Sequence, residues 1–337
     1  MTVNFTEAVA MRVFVYNMRT FDELAYFERF AEEMGMEMGW TEDSPTIDNC
    51  CLADGYDAIS VITTPITPEM QDRLKRGGVR MVSTRTIGYD HIDLAHARDI
   101  GMVAAHVTYD PEGVADYCVM MILAAIRNLR RIQVNNAVND FTLEGLLGRK
   151  LRDLTVGIVG AGKIGTTVMR DLSGFGCRIV YTGRRRNEEA DRYGEYVDID
   201  TLLRESDVVS LHLELNTDTH HIIGVDAISR MKDGAYLVNT ARGPLVDTEA
   251  LIGALDSGKL SGAALDVIED EFGLYYNDMR GKKITNRYMD RLRSMENVLL
   301  THHMAFYYDA AVRDMVYNCL DGIRSMDDGK DIPYRLV

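Results

Sequence analysis

The chain has 337 residues, 46% of them apolar, and a formal net charge of −15 at pH 7. This length suits two domains, and the acidic balance argues against general nucleic-acid binding. No apolar run approaches the roughly 18 residues of a membrane span, so we expect no contact with a membrane. The amino terminus lacks a secretory pattern, and the five cysteines have no zinc spacing. We therefore expect a cytoplasmic protein without a metal site.

Short apolar runs alternate with helix-like segments from the start of the chain, which predicts an α/β protein with largely parallel sheets. The first strands are expected at residues 12–17, 58–63 and 80–84. A helix is expected to begin near Pro111 and to extend over 112–132, because apolar residues recur there at helical spacing. Residues 1–10 precede the first strand and are interpreted as an extension.

A second series of apolar runs begins near Leu154, and its uniform apolarity is typical of strands buried on both faces. The runs are "LTVGIVG", "RIVYT", "DVVSLHL", "AYLVNT", "GAALDV" and "NVLLTHH". This series is the stronger signal for a dinucleotide fold. The segment "DAAVRDMVYNCLDGIRSM" predicts a final helix, with which the chain returns to the first unit after about residue 307.

The first run of this series leads into a glycine motif, Gly160-x-Gly162-x-x-Gly165, which then opens a helix. In this setting the motif predicts a dinucleotide site. Gly160 would allow the tight turn, Gly162 would let the backbone approach the pyrophosphate, and Gly165 would let helix and strand pack closely. The helix N-terminus supplies N–H groups to the phosphates.

The next strand ends in "TGRRRN", about where NAD-dependent folds carry an acidic residue for the adenosine ribose. Gly183 has no carboxylate to repel a 2′-phosphate. Arg184, and next Arg185, are expected to pair with that phosphate, so we expect NADPH to be favoured over NADH. The alternative is a solvated charge run that Glu188 and Glu189 partly balance.

Chemically versatile side chains follow the last three strands, where ligands of doubly wound sheets bind. They are Arg242, Asp266, Glu269, Glu271, His302 and His303. A guanidinium could fix a substrate carboxylate, and an imidazole beside a carboxylate could donate a proton while a nicotinamide supplies hydride. The pattern therefore indicates reduction of a 2-oxo acid.

The chain resembles the D-specific 2-hydroxyacid dehydrogenases over nearly its whole length. "VGIVGAGKIG", "NTARGPLVDTEALIGALDSGKLSGAALDVIEDE" and "NVLLTHHMAFYY" are similar to the cofactor and catalytic signatures of that family. "STRTIGYDHID", "TYDPEGVADY" and "FGLYYNDMRGKKITNRYMDRL" most resemble the D-lactate dehydrogenase branch, especially the enzymes of vancomycin-resistance operons.

The resemblance implies a role for each catalytic candidate. Arg242 would bind the substrate carboxylate and polarise the carbonyl, His303 would be the acid/base, Glu271 would pair with it, and Asp266 would lie near the nicotinamide. Proline is common before the catalytic histidine of the family, whereas this chain has His302. The motif "HMAFYY" keeps its register with His303, which we therefore prefer.

The resemblance also implies binding residues. Ile87 and Gly88 would offer backbone N–H groups to the substrate carboxylate, and Tyr109 would line the pocket. Besides the glycines, arginines, Asp266 and His303 named above, the expected cofactor contacts are Lys163, Ile164, His212, Asn239 and Thr240.

The implied fold has two Rossmann-like or flavodoxin-like lobes with parallel sheets and an active site in the cleft between them. A dinucleotide-binding domain over residues 106–306 would be inserted into a substrate-binding domain formed by residues 11–105 and 307–337. The family implies a homodimer formed through the cofactor lobe, with the 112–132 helix as a contributor.

The leading hypothesis is NAD(P)H-dependent reduction of pyruvate to D-lactate. A second hypothesis keeps the chemistry but takes branched or aromatic 2-oxo acids, since Tyr109, Phe306 and Tyr307 could shape a small pocket or stack on a ring. A third is a non-catalytic nucleotide-sensing scaffold, like the co-repressors built on this fold. The absence of a basic DNA-binding segment in the sequence lowers this third possibility.

Overall fold

A computed structural model describes residues 11–337, so the predicted extension at residues 1–10 lies outside the described residues. The chain divides into two compact units. One contains the described residues up to Asp110 together with Tyr307–Val337, and the other contains Pro111–Phe306.

The first unit is built on a five-stranded parallel sheet with the strand order β2-β1-β3-β4-β5. Its elements before residue 110 are β1 (Arg12–Val15), α1 (Leu24–Met34), β2 (Glu37–Trp40), β3 (Ala58–Val61), α2 (Pro68–Arg76), β4 (Met81–Thr84), α3 (Leu94–Asp99) and β5 (Val103–Ala105). All residues of β3 and β4 are buried, as expected for central strands of a parallel sheet.

The second unit is built on a seven-stranded parallel sheet with the order β12-β11-β10-β9-β6-β7-β8. Its elements are α4 (Glu112–Ile126), α5 (Leu129–Ala137), β6 (Thr155–Val159), α6 (Lys163–Ser173), β7 (Arg178–Thr182), β8 (Glu195–Tyr196), α7 (Ile199–Glu205), β9 (Val208–Leu211), α8 (Val225–Arg230), β10 (Ala235–Asn239), α9 (Thr248–Asp256), β11 (Leu260–Leu265), α10 (Met289–Ser294) and β12 (Val298–Leu300). The predicted α/β class with parallel sheets is confirmed.

The chain then returns to the first unit as α11 (Asp309–Asp327), where the final helix was predicted. Buried apolar residues recur along this helix at helical spacing, and it contacts α1 and β4. Cys319 lies in this buried face, with its sulfur 3.0 Å from the Ser60 hydroxyl of β3. Packing on the sheet therefore anchors the carboxyl-terminal part of the chain in the first unit.

The prediction of one helix over 112–132 is wrong, because the structure divides this segment into α4 and α5. Asn128 separates the two helices and has a left-handed backbone, with φ of 54°. Asparagine tolerates this conformation better than most residues, so a helical hydrophobic pattern continues across a break.

Three strands, β2, β5 and β8, were not predicted, and all lie at sheet edges. They contain four, three and two residues, too few to produce a clear apolar pattern. Among the described residues, no helix is both long enough and apolar enough to cross a membrane.

Candidate active site

The glycine motif connects β6 to α6 at the carboxyl edge of the seven-stranded sheet. Gly160 has φ of 101°, and a Cβ there would lie 2.6 Å from the His212 carbonyl oxygen. A Cβ on Gly165 would lie 2.0 Å from the Gly160 oxygen, whereas a Cβ on Gly162 would meet no atom within 4 Å. The backbone of Gly162 thus borders open space beside the first turn of α6, whose N–H groups have no acceptor within the helix. This cradle fits a pyrophosphate.

Lys163 and Ile164 begin α6, which is the position expected for cofactor contacts. Lys163 is exposed and Ile164 is half-buried against the core of this unit. Both residues are adjacent to the open space at Gly162, but their contact with a cofactor remains a prediction.

The three arginines after β7 differ in their surroundings. Arg186 donates to Asp191 across 2.7 Å and forms an ion pair with it. Within residues 11–337, neither Arg184 nor Arg185 forms an ion pair, and both are exposed. The alternative of a solvated charge run expected Glu188 and Glu189 to balance the arginines, but in the described part of the chain neither pairs with them, and Asp191 pairs with Arg186.

Asn187 joins the loop of residues 183–187, here called the arginine loop, to the glycine motif, and sequence reasoning missed this residue. Its side-chain amide donates to the Ala161 carbonyl at 2.7 Å. The Tyr181 hydroxyl donates to Asp191 at 2.6 Å and accepts from the Asn187 backbone N–H at 3.2 Å. The arginine loop is therefore fixed at its far end, and at its near end a Cβ on Gly183 would lie 3.9 Å from the Ala161 nitrogen of the glycine motif. No local sequence pattern signals this tie.

His212, Asn239 and Thr240 lie at the ends of the two neighbouring strands, β9 and β10. The ring of His212 lies 2.9 Å from the Ser210 hydroxyl, and desolvation lowers the pKa of His212 to about 4. Asn239 donates to the Arg242 carbonyl at 2.8 Å and accepts from the Ala241 N–H at 3.0 Å. Asn239 thus shapes the turn that carries Arg242, while Thr240 is buried beside it.

Arg242 follows β10 in an extended conformation and is partly exposed. One of its guanidinium nitrogens donates to the Ala241 carbonyl at 2.7 Å. The strand order places Arg242 after β10, next to the end of β11 and one strand further from the end of β12. A guanidinium at this edge provides a planar, permanently charged group for a carboxylate.

His303 and Glu271 form a side-chain pair, with Nδ1 of the histidine 2.6 Å from the Glu271 carboxylate. Their side chains are 15% and 14% exposed. The second Glu271 oxygen accepts from the Ile268 N–H at 3.0 Å. His303 has a left-handed backbone, with φ of 59°. Because Nδ1 is engaged, Nε2 is the ring nitrogen available for proton transfer, which is the arrangement an acid/base histidine requires.

The buried carboxylate of Asp266 organises the loop that carries His303. It accepts from the backbone N–H groups of Met304 at 2.8 Å and Ala305 at 2.9 Å, and from the Thr301 hydroxyl at 2.5 Å. The Asp266 carbonyl accepts from the His303 N–H at 2.7 Å. Sequence reasoning placed Asp266 beside the nicotinamide; the contacts additionally give it a positioning role that depends on residues 35 to 39 positions away.

The two adjacent histidines have different environments. His302 is exposed and forms no ion pair within the described part of the chain, whereas His303 has a carboxylate partner. The Tyr276 hydroxyl donates to the His303 carbonyl at 3.0 Å, and the rings of Tyr276 and Phe306 lie about 6 Å from the imidazole. Sequence reasoning did not name Tyr276. The aromatic pair in "FGLYYND" was the available signal, but nothing in the sequence connects it to His303.

Ile87, Gly88 and Tyr109 belong to the first unit and are partly exposed. Ile87 and Gly88 lie in the loop after β4, where the Gly88 carbonyl accepts from the Thr86 hydroxyl at 2.6 Å. The Tyr109 ring packs edge-on against Tyr308, with 6.4 Å between centroids. Their contact with substrate remains a prediction.

A buried ion pair supports that loop. Arg85, immediately before it, is fully buried, and its guanidinium contacts both Glu23 carboxylate oxygens at 3.2 Å. It also donates to the backbone carbonyls of Tyr16 and Asn17 beyond the end of β1. Arg85 thus joins the loops that follow β1 and β4.

Comparison with known proteins agrees with this geometry. A family model described as the NAD-binding domain of D-isomer specific 2-hydroxyacid dehydrogenases matches residues 119–305. A D-specific alpha-keto acid dehydrogenase of Enterococcus faecium is 48% identical over 277 residues, covering 81% of this chain and 83% of the relative. An aromatic 2-oxoacid reductase of Clostridium sporogenes is 38% identical and covers 91% of this chain and 93% of the relative.

Solved structures agree in fold as well. The crystal structure of a D-lactate dehydrogenase from Treponema pallidum superposes with a TM-score of 0.84 at 34% identity, covering 97% of this chain and all of the other. The family model spans more than half of the sequence, and the relatives extend over both compact units. The chain therefore belongs to the D-isomer specific 2-hydroxyacid dehydrogenase family.

Proposed function

We propose that this chain reduces pyruvate to D-lactate and that it favours NADPH over NADH. The observation that carries the catalytic part is the His303–Glu271 pair, which leaves Nε2 of the imidazole available. Arg242 follows β10, so it lies at the same edge of the sheet as His303 and Glu271. It supplies the positive charge that the carboxylate of a 2-oxo acid needs. Relatives named as a D-specific alpha-keto acid dehydrogenase and a D-lactate dehydrogenase support this reaction class.

Each residue has a defined task in the proposed reaction. Arg242 binds the substrate carboxylate and polarises the neighbouring carbonyl. The nicotinamide, when bound, supplies the hydride. Protonated His303 donates its Nε2 proton to the carbonyl oxygen, while Glu271 holds the ring in place and stabilises its positive charge before transfer. Asp266 keeps the loop around His303 in this geometry through its three accepted hydrogen bonds.

The cofactor preference rests on the arginine loop. Gly183 carries no carboxylate at the strand end, and Arg184 and Arg185 form no ion pair within the described residues. These two exposed cations suit the dianionic 2′-phosphate of NADPH. The matching family model names NAD, so NADH is the competing outcome.

A cofactor-by-substrate matrix tests the whole proposal. Steady-state kcat/KM is measured for pyruvate, 2-oxoisocaproate and phenylpyruvate, each with NADPH and NADH, and the product's configuration is assigned by chiral chromatography. The proposal expects the highest kcat/KM for pyruvate with NADPH and a D product. A higher value with NADH removes the cofactor assignment. Turnover at background with every substrate, with cofactor binding intact, favours the scaffold alternative.

Aromatic 2-oxo acids are the second candidate substrates. The relative from Clostridium sporogenes is named an aromatic 2-oxoacid reductase, and here Tyr276 and Phe306 lie about 6 Å from the His303 ring. Aromatic side chains at this distance offer edge contacts to a substrate ring. A preference for phenylpyruvate over pyruvate in the same matrix selects this candidate.

We also propose a cytoplasmic homodimer formed through residues 129–147 of the second unit. Helix α5 buries none of its residues, and Leu143 and Leu147 are 86% and 93% exposed. Leu143, Leu146 and Leu147 line the same surface groove, and contiguous exposed apolar side chains are typical of an interaction surface. Light scattering on a Leu143→Glu/Leu147→Glu variant is expected to give a monomer mass, whereas Val225→Glu, at an exposed position on α8, leaves the dimer intact. A monomeric wild-type chain overturns the assignment.

A further inference from the structure

Two histidines and a glutamate meet in the second unit outside the catalytic pair. His220 and His221 lie in the turn between β9 and α8, and Glu269 follows β11. Each residue offers one ligand atom, a ring nitrogen or a carboxylate oxygen, and these three atoms all lie within 4.8 Å of one another. The closest pair joins His221 Nε2 to Glu269 at 2.7 Å. The two imidazoles stack, with ring centroids 3.9 Å apart.

The surroundings hold two of these three donors in place. The second Glu269 oxygen accepts from the Thr248 N–H at 2.9 Å, which orients the carboxylate toward His221. His221 donates its backbone N–H to the Pro244 carbonyl at 2.8 Å and has a left-handed backbone, with φ of 54°. Positive φ is uncommon for residues other than glycine, and strained backbone of this kind clusters at functional sites.

The donor set has the chemistry of a transition-metal site. Two imidazoles and one carboxylate are the three protein ligands of many zinc sites, whose donors lie about 3.4 Å apart around a tetrahedral ion. His220 is exposed, so its side chain has room to rotate toward the other two donors, and solvent supplies a fourth ligand. Magnesium and calcium prefer sets made only of oxygen, so nitrogen ligands favour zinc, nickel or copper.

We propose that His220, His221 and Glu269 bind one divalent transition-metal ion, with Zn²⁺ as the reference ion. The ion replaces the proton between His221 and Glu269 and joins the turn after β9 to the segment after β11. That segment also contains Glu271, two positions beyond Glu269. The ion therefore stabilises the backbone segments next to the candidate active site, and it takes no part in the proposed hydride transfer.

The sequence provides no spacing signal for this site, because 48 positions separate His221 from Glu269. The expectation of a protein without a metal site depended on the spacing of the five cysteines along the chain. The proposal departs from that expectation on the geometry of the folded chain.

Metal binding to untagged, chelator-treated protein tests the proposal directly. Equilibrium dialysis against Zn²⁺, with metal quantified by mass spectrometry, is expected to give one tightly bound ion per chain. Co²⁺ is expected to give the visible absorption of a tetrahedral nitrogen–oxygen site. Zn²⁺ raises the melting temperature of the wild-type protein, and Mg²⁺ does not. Absence of saturable Zn²⁺ binding overturns the proposal.

Substitutions locate the ion. His220→Ala removes an exposed ligand and leaves the His221–Glu269 contact in place, so the fold should survive while Zn²⁺ affinity falls at least about tenfold. Glu269→Gln is expected to weaken binding further. His96→Ala is the matched control, because His96 also lies 2.9 Å from a carboxylate, Asp72, and within residues 11–337 no third ligand joins that pair. Unchanged affinity in His220→Ala and Glu269→Gln, or loss of the ion in His303→Ala, overturns the assignment.

Discussion

Along the carboxyl edge of the seven-stranded sheet, the charged groups on the two sides of the glycine motif differ in whether other side chains and backbone groups hold them in place. At the end formed by β11 and β12, Asp266 accepts three hydrogen bonds and Glu271 contacts His303. At the β7 end, Arg184 and Arg185 are exposed and, within residues 11–337, form no ion pair. The glycine motif lies between the two ends, after β6.

This difference separates two kinds of candidate site residue. Groups that are fixed by internal partners are organised before substrate arrives, which is how proteins stabilise developing charge without reorganisation. Cations without internal partners have their hydrogen-bonding capacity available for a ligand. Arg186 provides the contrast within the same loop, because it is paired with Asp191.

The largest effect is expected from His303→Ala, which removes the proposed acid/base beside β11 and β12. We expect kcat to fall by about 10²–10⁴-fold, with the Kd of the reduced cofactor, measured by fluorescence titration, nearly unchanged. His302→Ala is the matched control, since His302 is exposed and lacks the carboxylate partner. A large loss of kcat in His302→Ala, with little loss in His303→Ala, contradicts the assignment.

Asp266→Asn tests whether the hydrogen bonds that Asp266 accepts also stabilise the fold. The amide keeps the size of the side chain but replaces one acceptor oxygen with a donor facing buried N–H or O–H groups. We expect the free energy of unfolding, from urea titration, to fall by about 2–4 kcal/mol. Asp233→Asn, at an exposed pair with Lys259, should leave stability essentially unchanged. Equal stability of both variants would show that the three hydrogen bonds contribute little.

His212, between the two ends, links stability to pH. Desolvation lowers its pKa to about 4, so the folded chain holds it neutral while the unfolded chain binds a proton below about pH 6.5. The contribution of neutral His212 to the free energy of unfolding is therefore fully present above pH 6.5. It declines as the pH falls toward 4, by up to about 1.4 kcal/mol per pH unit. In His212→Asn, urea titrations across pH 4.5–7 should show a shallower decline. Parallel curves for the two proteins exclude a depressed pKa.

The smallest effects are expected at the β7 end and concern cofactor choice. A Cβ on Gly183 would meet its nearest atom at 3.7 Å, so Gly183→Asp fits without steric strain, and under the proposed cofactor preference it would place a carboxylate against the 2′-phosphate. We expect the ratio of kcat/KM for NADPH over NADH to fall about 10–100-fold, as for loss of a charged hydrogen bond. Arg184→Ala should act in the same direction.

Arg186→Ala is the control for this loop, because it removes a positive charge that Asp191 already engages. Its NADPH-to-NADH ratio should stay within about twofold of the wild-type value. If Arg184→Ala and Arg186→Ala behave alike, the arginines act as a general positive surface and the contrast between them has no functional meaning.

Much of the fold was predictable because buried parallel strands are uniformly apolar and leave a continuous signal. Strands β6, β7, β9, β10 and β12 lie within predicted runs, and β11 overlaps its run but begins two residues earlier, at Leu260. The short edge strands were missed, and the break at Asn128 was missed because the apolar pattern continues through it. Local pattern cannot register a single left-handed residue.

By itself, the sequence determined the α/β class, the glycine motif and the polar residues that follow each late strand, because these features are local. Only the tertiary structure decided that Arg186 is paired while Arg184 and Arg185 form no ion pair within the described residues, that Asp266 organises residues 301–305, and that His221 meets Glu269. Such pairings join positions far apart in the chain, and their geometry is set by the order of strands in the sheet.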